Sequence, residues 1–407
     1  MKVVVAQNGS REHYLAARAL HRRGMLAQLV VDWYPPKNRL GRWLAGLIPS
    51  VEVARAIGAG CEDVPDALIT AMRLHGIATR MRRRHAARSG DTYPAYLKCD
   101  STFARRVSRL DLPRHDVFFG YSYASLEALK KRNGILTVLD QIDPGLAETR
   151  RVQKEEKQWP DYVHQTLNPP SAYHARNRRE WELADVIVVN SQWTHDLLKE
   201  DGAPTEKIEV LPLAYNVDRA ANPGTRTYSP PLRVLWLGTV CLRKGIPYLI
   251  EAARHLEGKS VHIQIAGPLD IDPKVINTCP PNIEWLGPVP RVNASRLYRE
   301  SDVFILPTIS DGFAITQIEA LAHGLPVIIT PHCARVVEDG RHGYVVPAGD
   351  ATALSQAIMH FVDAPEKLVE MRPDCIARSR DFSLDHYADG LVSILERRMA
   401  VLSEGQL

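Results

Sequence analysis

No stretch of this sequence approaches the roughly 18–20 uninterrupted apolar residues that a membrane-spanning helix requires. Cysteine is sparse and unpaired: Cys61, Cys99, Cys241, Cys279, Cys333 and Cys375 are scattered, with no C-x-x-C spacing. The one adjacent pair, His332 and Cys333, is too little for a zinc site, so no metal is expected. Low-complexity tracts and fixed-period repeats are also missing. After the opening apolar run Lys2–Ala6 comes Gln7-Asn8-Gly9-Ser10-Arg11, not the G-x-G-x-x-G of a nicotinamide dehydrogenase. That opening turns polar too soon for a signal peptide and has no small-residue cleavage site. A cytoplasmic protein is the expectation.

What is present is an ordinary globular composition. The 407 residues are 45% hydrophobic and 24% charged, which excludes disorder and collagen-like structure. Their number suggests two or three domains. The net charge of +4 conceals an asymmetry. Residues 1–200 hold 31 Lys/Arg against 22 Asp/Glu, whereas residues 201–407 hold 20 against 25. A basic half is a common footprint for an anionic surface or substrate.

Short apolar runs alternate with helical periodicity along the whole chain. Lys2–Ala6 reads as a strand, the segment around Ala16 and Leu20 as a helix, and Leu26–Val31 as a strand, which makes a βαβ unit. The rhythm recurs at 116–139 and 185–213. Between 214 and 231 Asn, Gly and Pro accumulate, a linker signature, and strands then resume at Arg233–Leu237, Val261–Ala266, Val303–Leu306 and Val327–Ile329. The predicted architecture is α/β, with two Rossmann-like domains at 1–215 and 232–383 joined by a linker at 216–231, and a cleft between them as the ligand site. Residues 384–407 form a helical segment, and periodicity leaves open whether it stays with the second domain or packs on the first.

Two segments carry chemistry. In Asp311-Gly-Phe-Ala-Ile-Thr-Gln-Ile-Glu319, a small-residue turn runs into a helix. Gly312 and Ala314 admit a ligand to the main chain where free N–H groups favour an anion. Asp311 precedes the helix, and Glu319 is placed well inside it. Two carboxylates flanking a phosphate site suit the hydroxyls of a sugar nucleotide. The ordinary alternative is a dipole-satisfying Asp and a solvated Glu. In the second segment, Gly238-Thr239-Val-Cys-Leu-Arg243-Lys244-Gly245, a strand ends in a glycine and two cations precede a helix, a pattern suited to a pyrophosphate. Solvated loop cations are the alternative.

Together these segments resemble the family 4 glycosyltransferases, which have the GT-B fold. The resemblance rests on Gly238…Lys244-Gly245, Asp311…Glu319, Gly324-Leu-Pro-Val327, Gly287-Pro-Val289, Ser301–Pro307, Asp339–Asp350 and, in the first half, Ala184-Asp185-Val-Ile-Val-Val-Asn190-Ser191. It is dense over 181–362 and looser before 150. It implies a retaining, metal-independent transferase that needs no cofactor and takes a nucleotide-diphosphate sugar, UDP- or GDP-linked. Lys244 would hold the diphosphate beside Arg243, and the main chain of Gly312, Phe313, Ala314 and Ile315 would bind phosphate. Asp311 would take the donor sugar's hydroxyls, Glu319 the ribose, and Val289 would lie near the base.

Three positions depart from the family pattern. Asp311 stands for a Glu, one methylene shorter. Thr239 replaces an Arg after the strand glycine, with Arg243 the substitute cation. A His near the reacting sugar is replaced within Thr137-Val-Leu-Asp140-Gln141-Ile-Asp143, where Asp140 is the nearest match and an ordinary loop carboxylate is the alternative. On the acceptor side, Gly9, Ser10 and Arg11 occupy the loop after the first strand. The cluster Arg80-Met-Arg-Arg-Arg-His85, with Arg73 and Arg88, suggests peripheral contact with an anionic membrane, supported by Trp33, Trp43 and Leu44–Ile48. A solvated basic helix face is the alternative, and no recognition module points to nucleic acid. The implied function is sugar transfer to a glycan or lipid-linked acceptor in cell-surface polysaccharide or glycolipid synthesis. A non-catalytic GT-B binding protein is the main competitor; a nucleotide-sugar epimerase or phosphorylase fits the Asp311 segment less well.

Overall fold

A computed structural model describes residues 1–34, 63–89, 92–132, 134–164, 166, 168–215 and 228–404. Trp43, Leu44–Ile48, Cys61 and most of the 216–231 linker lie outside the described residues.

Two parallel sheets organise the chain. The first contains β1 (Val3–Gln7), β2 (Leu26–Val31), β3 (Ile69–Ala71), β4 (Val117–Tyr121), β5 (Leu136–Gln141), β6 (Val186–Val189) and β7 (Ile208–Val210), in the order β3-β2-β1-β4-β5-β6-β7. Every residue of β1 and β4–β6 is buried, as expected of strands covered on both faces. The second contains β8 (Leu232–Leu237), β9 (Val261–Ala266), β10 (Ile283–Gly287), β11 (Val303–Leu306), β12 (Val327–Ile329) and β13 (Gly343–Val345), in the order β10-β9-β8-β11-β12-β13. Strand order reverses between β1 and β4 in one sheet and between β8 and β11 in the other. Loops leaving the carboxyl ends of neighbouring strands diverge there and open a crevice, so these switch points are where ligands should bind.

The helix that follows the Asp311 turn runs Thr316–Ala322, so Glu319 is its fourth residue and lies in the first turn, not well inside. The helix after β4 is only Leu126–Leu129. Long charged helices at Arg73–Ser89, Thr92–Val107, Gly145–Gln158 and Ser171–Leu183 fill the first half.

Chain crossings join the two sheets. The helix Leu384–Glu404 follows the second sheet but buries Tyr387, Ala388, Leu391, Ile394 and Leu395 against Val5, Phe119, Val138 and Val188 of the first. Arg397 and Arg398 both pair with Glu209 beside β7, which fixes its far end. In the opposite sense, Tyr162, which follows the helix Gly145–Gln158, joins the core of the second sheet. Tyr248 of the second unit donates to Glu155 of that helix at 2.7 Å.

Candidate active site

At the switch point of the second sheet, the loop after β8 and the loop after β11 are stitched together. The Arg243 carbonyl accepts from the Ile309 N–H (2.9 Å) and the Thr308 hydroxyl (3.0 Å). Gly245 has φ +72°, and a Cβ there would lie 1.8 Å from the Pro307 carbonyl oxygen. Only glycine allows this approach, which brings Arg243 and Lys244 onto the segment that carries Asp311.

Lys244 donates to Asp311 Oδ2, and Arg243 Nη1 lies 3.6 Å from the same oxygen. The Phe313 N–H reaches Asp311 Oδ1 at 3.3 Å. Burial opposes charge on Asp311, but Lys244, Arg243 and that N–H hold its pKa down at about 2. Arg243 also donates to the Ser310 carbonyl at 3.0 Å. Burial works against its charge as well, yet Asp311 and Glu148 keep its pKa above the usual value. Asp311, Lys244 and Arg243 thus form one ionised cluster that joins the basic loop to the Asp311 segment.

The rest of the cluster comes from the first domain, and sequence reasoning missed it. Glu148, in the first turn of the helix Gly145–Gln158, approaches Arg243 Nη1 at 3.6 Å. Its Oε1 is buried and makes no hydrogen bond. Burial raises its pKa to about 7, with Arg243 opposing and Asp311 adding to the rise. The run Gly-Leu-Ala-Glu-Thr-Arg-Arg reads as a solvated charged face in the sequence, and only the tertiary fold turns Glu148 inward. Neighbouring contacts close the cleft. Trp193 donates to the Ser310 hydroxyl at 3.0 Å and stacks on His332 at 4.2 Å. Gly312 packs against Asn190 and the Ile142 carbonyl, where a Cβ would come within 3.0 Å of both.

The remaining residues read from the sequence are distributed around this centre. Gly238 ends β8, Thr239 is exposed beside it, and Val289 packs half-buried after β10. Ala314 has φ +60°, so the main chain from Gly312 to Ile315 is turned sharply before its helix. Glu319 accepts from the Tyr298 hydroxyl at 2.9 Å, and Tyr298 stacks on His323.

On the first sheet, Asp140 is 5% exposed on β5. Burial and the neighbouring Glu12 push its pKa well up, with Arg11 opposing. It faces Glu12, Tyr121 and Tyr387 and makes no described contact with Lys244 or Arg243. Asp143, three residues on, has the stronger electrostatic tie to Arg243 and Glu148. It accepts from the Tyr123 hydroxyl and the Gly145 N–H, each at 3.0 Å. Tyr123 adopts φ +68° in a turn whose N–H groups at Tyr123, Ser125 and Leu126 all bond the fully buried Glu180. In the loop after β1, the Gly9 N–H donates to Asp32 and Ser10 precedes a tight turn. Arg11 is the cation that Asp140, Asp143 and Asp100 share electrostatically, and its Nη1 is buried without a hydrogen-bond partner.

Residues 231–364 match the profile of the family described as Glycosyl transferases group 1. Over this stretch the chain is similar to the group 1 glycosyltransferases. The stretch coincides with the second sheet and includes both cluster loops. Among curated proteins, WcaL of Salmonella typhimurium, named for colanic acid biosynthesis, is 26% identical over 245 residues, or 56% of this chain and 60% of that protein. The amylovoran biosynthesis glycosyltransferase AmsK of Erwinia amylovora is 26% identical over 231 residues, 52% of this chain and 56% of AmsK. The chain therefore spans little more than half the length of these relatives. Among solved structures, Anabaena HepE in complex with UDP and glucose superposes with a TM-score of 0.61 at 12% identity, covering 98% of this chain and 100% of HepE. TarM superposes with a TM-score of 0.66 at 9% identity, covering 97% and 99%. These likenesses extend over both sheets and establish the GT-B architecture, which the glycosyltransferase domain shares with the sequence resemblance to family 4.

Proposed function

We propose that the protein is a retaining, metal-independent glycosyltransferase that moves a sugar from a nucleotide-diphosphate sugar to a glycan or lipid-linked acceptor. The observation that carries this reading is the Lys244–Asp311–Arg243 cluster at the switch point of the group 1 domain, facing Glu148 across the cleft. The two cations suit a diphosphate. As the bond from the sugar to the diphosphate breaks, negative charge grows on the leaving group, and cations already in place stabilise that transition state more than the ground state. Asp311, ionised at any ordinary pH, suits hydroxyls of the donor sugar once Lys244 turns to phosphate. Glu319, braced by Tyr298, suits the ribose, and the main chain from Gly312 to Ile315 a phosphate oxygen. HepE, whose fold this chain shares, was solved with UDP and with UDP-glucose, which favours a uridine donor as the first to test.

Arg11 and the carboxyl groups around it suit an acceptor with hydroxyl or phosphate groups. The relatives named for colanic acid and amylovoran biosynthesis support cell-surface polysaccharide as the setting. No helix among the described residues is long and apolar enough to cross a membrane. Peripheral contact has a surface to support it. The helix Arg73–Ser89 exposes Leu74 (86%), Ile77 (46%) and Met81 (68%) at i, i+3 and i+7, bordered by exposed Arg73, Arg82 and Arg88. An apolar stripe edged with arginine suits the interface of an anionic bilayer.

Thermal-shift measurements with UDP-glucose, GDP-mannose and the free nucleotides, without added metal, test the donor reading. A ligand at about 100 times its Kd should stabilise by about 2.7 kcal/mol. A selective shift followed by release of the nucleoside diphosphate in the presence of acceptor supports the transferase. A shift with no turnover favours the non-catalytic binding protein.

A further inference from the structure

Glu148 is the one carboxyl of the cluster that belongs to the first domain, and its position is unusual. It sits 3.6 Å from Arg243 Nη1, and its Oε1 makes no hydrogen bond despite being buried. Arg243 meanwhile has two further acceptors, Asp311 and the Ser310 carbonyl. A guanidinium so placed has a choice of partners, whereas Glu148 has one cation within reach.

Donor binding changes this balance. A diphosphate that engages Lys244 and Arg243 brings negative charge to the two groups that neutralise Asp311 and Glu148. Asp311 keeps the Phe313 N–H at 3.3 Å and starts from a pKa of about 2, so it stays ionised as Lys244 turns to phosphate. Glu148 keeps only the Ser310 hydroxyl, which already accepts from Trp193 and is therefore free to donate. We propose, resting on the donor-site reading above, that Glu148 is a positioning residue of this site: it holds Arg243 across the cleft and, when a nucleotide diphosphate draws that guanidinium away, it takes up a proton from solvent.

The groups facing Glu148 make it the one that responds near neutrality. From the basic loop comes Arg243, from the loop after β11 Asp311 and Ser310, and from the turn before its own helix Asp143. Asp311 is held at about 2 and stays ionised, and Arg243 stays charged. Asp143 is raised by burial, with the Gly145 N–H and Tyr123 hydroxyl opposing. His332, stacked on the adjacent Trp193, is lowered by burial, which favours its neutral form. Glu148, at about 7 in the free protein, can only move higher when its cation leaves and an anion arrives. The complex then binds more protons than the free protein between about pH 7 and the new value, so donor affinity falls as pH rises through that window.

UDP-glucose is the probe, because its diphosphate is a diester and does not itself titrate near neutrality. Binding is measured by calorimetry between about pH 6 and 8.5, in paired buffers of different ionisation enthalpy. The wild-type Kd should rise by up to about tenfold per pH unit above about pH 7, with a matching uptake of up to about one proton. Glu148→Gln should abolish both, and Glu148→Asp should keep the proton uptake with a displaced midpoint. If Glu148→Gln does not fold, the wild-type uptake and the displaced midpoint of Glu148→Asp still decide. A wild-type affinity that is flat with pH, or a slope that survives in Glu148→Gln, overturns the inference while leaving the donor site standing. Failure of UDP-glucose, GDP-mannose and their free nucleotides to bind at any pH overturns the donor-site reading, and the inference with it.

Discussion

Lys244 and Asp311 are ion-paired in the cleft, so each cation that would hold a donor's diphosphate already holds a carboxylate. The donor must exchange one anion for another. That exchange avoids leaving a bare buried charge in either state, which would cost several kcal/mol.

The pairing changes what Lys244→Ala should do. Asp311 would keep only Arg243 and one N–H in a site where its side chain is 12% exposed. We expect a loss of about 3 kcal/mol in unfolding free energy together with loss of nucleotide binding. The double variant Lys244→Ala/Asp311→Asn should recover most of the stability and none of the binding. Urea denaturation and thermal shift with UDP-glucose separate the two effects.

Glu319→Ala should weaken nucleotide binding by about 1–3 kcal/mol, with a smaller change in melting temperature. Tyr298→Phe, which deletes the 2.9 Å hydrogen bond to Glu319, should show the same effect in weaker form. Unchanged affinity in Glu319→Ala would remove it from the site.

Gly245→Ala should be far costlier than its size implies. The residue has φ +72°, and the new methyl would collide with the Pro307 carbonyl, which is backbone and cannot rotate aside. A destabilisation above about 2 kcal/mol is expected, with loss of donor binding as Arg243 and Lys244 shift off the Asp311 segment. Gly258→Ala, also at positive φ but with open space around it, isolates the backbone term.

Stability should vary with pH in opposite senses for two carboxyls of the cluster. Glu148 is raised to about 7 when folded, so its contribution is fully present below the unfolded pKa near 4.5 and is lost as pH rises through 7. Asp311 is depressed to about 2, so its contribution is present above the unfolded value near 3.8 and is lost as pH falls towards 2. Melting temperatures from pH 3 to 8.5 should peak between about 4.5 and 6. Glu148→Gln should reduce the slope on the alkaline side alone, with Glu12 and Glu180, also raised to about 7, supplying the rest.

Reversal of Arg82 and Arg84 to Glu, or of Leu74, Ile77 and Met81 to Ser, should reduce co-sedimentation with vesicles rich in anionic lipid. All five side chains are exposed, so melting temperature should hardly change. Equal co-sedimentation of both variants and the wild type would leave this helix an ordinary solvated face.

The strands β8, β9 and β11 were legible because each is a short, mostly apolar run followed at once by Gly or Pro, and the chemical residues come soon after β8 and β11 in the sequence. Arg243, Lys244 and Asp311 are found together for that reason. The cleft's other wall was not legible. Glu148 sits in a helix with six other charged residues, from Arg150 to Lys157, and nothing in that pattern marks the one that faces inward. Trp193 and His332 meet only because a helix start and a loop far apart in the chain converge. Asp140 and Asp143 differ by three positions, yet the first sits on a buried strand face and the second on the loop that opens to the cleft. Local spacing does not separate these until the end of β5 is known to within a residue.

The terminal helix has a mechanical consequence. The chain passes from the first body to the second after Tyr215 and returns after Phe382, and the Tyr215 N–H bonds the Phe382 carbonyl at 2.9 Å. A single tether would leave the two halves free to twist as well as to part. Two crossings pinned together at one point restrict twisting of one half against the other more than a single crossing would, which favours one register between Arg243 and Glu148.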